Sequence, residues 1–175
     1  MAHNKNLAIL GRIMNKLISL KKLVIYSVSI SESGAETLMS LEKLKPRWYR
    51  CNGRITVTLH PNYGIIVIET LEGFLFDGRS GPWILDWYEP NLGTLDKRIA
   101  WWVHDVLGHG TSFDFKTTNE ILRQLLVIAG DRKTKASFVR YSVSLSSSWF
   151  GVPKKGDKSF PNMDKIAVTY KGIVL

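Results

Sequence analysis

Between Arg54 and Phe76 apolar residues recur at every second position, whereas beyond Thr94 they recur at every third or fourth. A chain that changes period once, from two to about 3.6, folds as strands followed by helices. In the first stretch Ile55, Val57 and Leu59 share one strand face, with Thr56 and Thr58 on the other. Pro61-Asn62-Tyr63-Gly64 is a turn, residues 65–70 a second strand, Glu72-Gly73 a second turn and residues 74–76 a third strand. Together they make an antiparallel meander. Upstream, residues 23–30 (LVIYSVSI) read as a strand, 31–36 as a polar loop and 37–45 as a short helix stopped by Pro46.

Three helices are expected after the meander. The first runs from Thr94, its N-cap, to about Leu107, with Ile99, Trp102, Val103, Val106 and Leu107 as its apolar face; Gly108 and Gly110 end it. The second covers residues 118–129, opened by a Thr117/Glu120 capping box and closed by Gly130. The third covers about residues 135–149, with Phe138, Val139, Ser142 and Leu145 on its inward side. Residues 5–22 form an amphipathic basic helix, and residues 166–170 a last strand. The expected class is therefore α+β. An N-terminal extension (1–53), a core (54–151) and a basic C-terminal tail (152–175) divide the chain.

The chain has 175 residues, enough for one core, and a single cysteine, Cys51. One thiol excludes a disulfide framework and a multi-thiolate zinc site. Basic residues interrupt the apolar run that begins at Leu7, which excludes a transmembrane segment there and a secretory signal. Charge is segregated along the chain. Residues 1–60 carry ten Lys/Arg against three Asp/Glu, residues 61–130 five against nine, and residues 131–175 nine against three. Basic flanks around an acidic middle suit an acidic protein surface, a nucleic acid or, through residues 5–22, peripheral contact with an anionic membrane. No basic-aromatic nucleic-acid module is present, and Lys154, Lys155 and Lys158 lie in a loop-like stretch without helical register.

Two clusters of residues can carry chemistry. His104-Asp105 is followed by His109, and Asp105 and His109 at i, i+4 could grip a divalent metal ion on one helix face. A half-buried imidazole beside a carboxylate is equally the makings of a general base and of a structural polar knot. Asp77-Gly78-Arg79-Ser80-Gly81-Pro82 follows the third strand and offers Asp77 and Ser80 either as catalytic groups or as turn-forming ones. The Ser-hydrolase elbow, the P-loop and the dinucleotide fingerprint are all missing.

The order of these clusters resembles the phage and prophage proteins grouped as the domain of unknown function 1353 family. Asp77, Ser80 and Pro82 come first, then His104 and Asp105 on a helix, then Asn119 through Gly130, then the aromatic-rich stretch from Tyr141 to Gly151. The likeness spans roughly residues 54–151. It implies a bacteriophage origin and no defined activity. Asn119 stands where the pattern has Asp, and Leu107-Gly108-His109 replaces a tyrosine-bearing segment.

Three functions follow as expectations. The first is a small virion-associated component of tail, neck or baseplate, made in the host cytoplasm and held by contacts with other phage structural proteins. The second is a phage hydrolase acting on cell wall or phosphoester, with His104 as base and Asp77 or Asp105 orienting it or holding the metal. The third is an early host-takeover binding protein.

Overall fold

A computed structural model describes residues 23–45, 48–76, 92–110, 113–150 and 165–171. The expected helix over 5–22 and the basic stretch around Lys154 lie outside them. Seven strands and four helices are described: β1 (Ile25–Ile30), α1 (Glu32–Met39), β2 (Glu42–Lys45), β3 (Trp48–Arg50), β4 (Ile55–Pro61), β5 (Ile65–Thr70), β6 (Leu75–Phe76), α2 (Leu95–Gly110), α3 (Phe115–Ile128), α4 (Lys133–Phe150) and β7 (Ile166–Lys171). The chain is α+β, a strand-rich part followed by a helix cluster, as the change in period requires.

The main sheet has the order β1-β4-β5-β7 and is antiparallel throughout. Its outer strands come from the segments flanking the core, β1 before it and β7 after it. Alternation sets the register: Val57 faces Ile68, which faces Val168, so all three point to one side. Ile55, Val57, Leu59, Ile66 and Ile68 are completely buried there, in a cluster continuous with the buried residues of the helices. Thr70 shares this face and buries its hydroxyl without a hydrogen-bond partner among the described residues. Thr70→Val keeps the shape and removes the orphaned group. It is expected to stabilise the fold by about 1 kcal/mol, read as a melting temperature roughly 2–4 °C higher.

The third strand of the expected meander does not continue this sheet. β6 pairs with β3, and β3 with β2, in a separate three-stranded sheet. Two residues carry too little pattern to choose a neighbour. The helix expected over 37–45 and the loop over 31–36 are also corrected. α1 occupies 32–39, and residues 42–45 are strand β2. The Ser31 side chain accepts a hydrogen bond from the Gly34 amide and caps α1. Gly34 sits close to its surroundings: a Cβ there would lie 2.8 Å from the capping Ser31 hydroxyl and 3.3 Å from the backbone nitrogen of Thr56 on β4.

α2 is buried nearly all round, from Ile99 through Leu107. Its start is tied to α1 by Arg98, whose Nη1 donates to the Leu38 carbonyl at 2.9 Å, near the negative end of α1. α3 is the central helix, packed against α2, α4 and β1. Asp114 caps it, accepting from the Thr117 amide at 2.6 Å, so the Thr117/Glu120 capping box is not formed. Gly130 ends it at a φ of +94°, a left-handed conformation that glycine adopts without strain. α4 turns Ala136, Val139, Ser142 and Val143 inward, whereas Phe138 and Leu145, expected inside, are exposed. No helix among the described residues is long and apolar enough to cross a membrane.

Candidate functional site

The buried polar centre of the molecule lies where α2, α3 and α4 meet. α2 carries His104 and Asp105, each 1% exposed, into otherwise apolar surroundings. The ring of His104 stands edge-on to Trp101 and to Phe115, with centroids 6.4 and 6.3 Å away. Its Nδ1 lies 3.2 Å from Asp105 Oδ1 and its Nε2 2.8 Å from Asn119 Oδ1. The Asn119 amide donates to Ser144 Oγ at 2.9 Å, and that hydroxyl donates to the Arg140 carbonyl one turn earlier. One line of hydrogen bonds thus joins three helices.

This arrangement fixes what the imidazole can do. Both ring nitrogens lie within hydrogen-bond distance of a protein side chain, Asp105 on one side and Asn119 on the other. Which nitrogen donates follows from the ring tautomer and the orientation of the Asn119 amide. In either tautomer both nitrogens are engaged inside the protein. A general base needs a nitrogen within hydrogen-bond reach of a substrate proton, and His104 presents none at the surface formed by the described residues.

The other candidates fare differently. Asp77 and Ser80 lie outside the described residues. α2 runs on through Gly108 to Gly110, past the end expected from the glycines, so Asp105 and His109 do share one helix at i, i+4. The His109 side chain is outside the described set. Among the described residues no group of three or more His, Cys, Asp or Glu is placed to hold a metal ion. Cys51 is buried, and burial pushes its thiol up to about 12. At pH 8 about one thiol in 10⁴ would then be ionised. Native protein is expected to resist iodoacetamide at that pH, with alkylation appearing only in urea, as mass spectrometry of the intact chain would show.

Sequence reasoning missed Ser144 and the part played by Asn119. Asn119 stands in the sequence reading only as a departure from the family pattern, and Ser144 has no place in it. The available signal was spacing for Asn119, which lies one turn before Leu122 on the core face of α3, whereas Ser144 is exposed on α4 and its spacing gave no such signal. Also missed was a charged cluster on α3 and α4. Glu120 Oε1 lies 2.6 Å from Arg123 Nη2, and Oε2 lies 2.9 Å from Arg140 Nη1. Partial burial pushes the Glu120 carboxyl up, but the hydrogen bond and charge of Arg123, with Arg140, outweigh it and hold the group below its ordinary range.

Compared with protein-family models, curated proteins and solved structures, the chain matches none.

Proposed function

We propose that this chain is a component of a bacteriophage particle, a small tail, neck or baseplate protein, which works by binding neighbouring subunits. The observation that carries this is the engagement of both His104 nitrogens at 1% exposure. The strongest catalytic candidate is committed to joining α2, α3 and α4, which leaves binding as the function the geometry supports best. The phage origin rests on the resemblance over residues 54–151. The proposal places the mature protein in the virion, after synthesis in the host cytoplasm. Segregated charge supports the docking role, since unlike surfaces bring such partners together and set their register.

Mass spectrometry of purified virions tests this. The chain is expected at a fixed copy number per particle. Its absence from virions, together with turnover of cell-wall or phosphoester substrates by the purified protein, would replace this proposal with the hydrolase.

A further inference from the structure

A cleft of about 560 Å³ is lined by residues 23–25, at the start of β1, together with α3 and α4. Its apolar floor is offered by Val24, Val127 and Ile128, whereas Leu23 and Ile25, at 2% and 5% exposure, contribute little surface. Its rim is cationic, with Lys116, Arg123, Lys133 and Arg140 against the single carboxylate Glu120. Glu120 holds the two guanidiniums in place and leaves each with N–H groups unused by it. Lys116 and Lys133 are exposed, and neither has an ion-pair partner among the described residues. The far wall is fixed as well. The Ile25 amide donates to Gln124 Oε1 at 2.8 Å, and Gln124 Nε2 donates to the Leu23 carbonyl at 3.1 Å.

We infer that this cleft binds an acidic, apolar-anchored peptide segment of a partner protein. Charge and shape both select that occupant. From Lys116 to Ile128 the groove follows α3 for about 18 Å, at ~1.5 Å per residue. That length suits five or six residues of extended chain, at ~3.3 Å each. Carboxylates match a rim of four cations, two lysine ammoniums and two guanidiniums whose remaining N–H groups are charged donors. Apolar side chains between those carboxylates fill the floor, which a phosphate backbone would leave wet. The chain's own residues 1–22 are the wrong charge, with five Lys/Arg and no Asp/Glu. The inference rests on the docking role proposed above and names the chemistry of one partner.

The probe is a fluorescent eight-residue peptide of glutamate and leucine, titrated into the full-length chain and followed by anisotropy. Saturable binding is expected, weakening with salt because the rim charges are screened. Lys116→Glu with Lys133→Glu is expected to weaken it at least tenfold while leaving the melting temperature unchanged. Lys43→Glu with Arg54→Glu changes net charge equally, away from the cleft, and is expected to leave binding within about twofold. Equal binding of a lysine-leucine peptide, or full binding by the Lys116/Lys133 variant, would overturn the inference. So would displacement of the probe by an oligonucleotide of matched charge, by a peptide of residues 1–22 or by self-association of the chain. Virion content does not depend on any of these results, so the two proposals fail separately.

Discussion

His104→Ala is expected to destabilise the protein by about 3–5 kcal/mol, because it strips two buried polar side chains of a partner and leaves a cavity where three helices meet. The ring nitrogens serve Asp105 and Asn119 at 3.2 and 2.8 Å, and both of those side chains are themselves buried. Alanine leaves the Asp105 and Asn119 side chains without this partner, at positions 1% and 2% exposed. A domain of this size is stable by roughly 5–15 kcal/mol, so the loss is a large share of the whole. Thermal denaturation followed by circular dichroism is expected to show a fall of about 10 °C or more. A catalytic imidazole predicts the opposite pattern, with activity abolished and the melting temperature nearly unchanged.

Gln124→Ala is expected to cost about 2 kcal/mol. The Gln124 amide pairs with the Ile25 N–H and the Leu23 carbonyl, so one side chain satisfies two backbone groups at the outer edge of β1. Alanine orphans both in a partly buried position. The damage is local. The amide of Ile25 is expected to exchange with deuterium markedly faster, while that of Val57, in the middle of β4, keeps its protection. Uniform acceleration at both amides would show that Gln124 matters to the whole fold and not to this edge.

Strong periodicity made the large elements legible. Ile55-Val57-Leu59 and residues 65–70 stand in the register their alternation demands, and β7 falls where a short β-branched run marks it. The failures have local causes. Residues 31–36 resemble a loop because they are rich in Ser with a Gly among them, yet Ser31 caps a helix there and Gly34 packs close to β4. Asp114 and Thr117 are both competent N-caps three residues apart. Glu120, which would complete the Thr117 box, is held instead by Arg123 one turn on in α3 and by Arg140, the second contact existing only after α3 and α4 pack. α4 has apolar residues on two faces, and volume misleads there: the small Ala136, Val139 and Val143 fit the core, while Phe138, Tyr141 and Leu145 stay outside. For the site, composition and spacing singled out His104 and Asp105. The choice between a base and a polar knot depends on Asn119 and Ser144, which are 15 and 40 residues away along the chain.

The most direct measurement is a double-mutant cycle in urea on His104→Ala, Asp105→Ala and the pair. If the two side chains stabilise the protein as a unit, removing the second after the first costs far less than removing it alone. The coupling is then expected at about 1–3 kcal/mol. Free energies that add to within about 0.5 kcal/mol, with both single variants melting like the wild type, would contradict a structural His104–Asp105 pair.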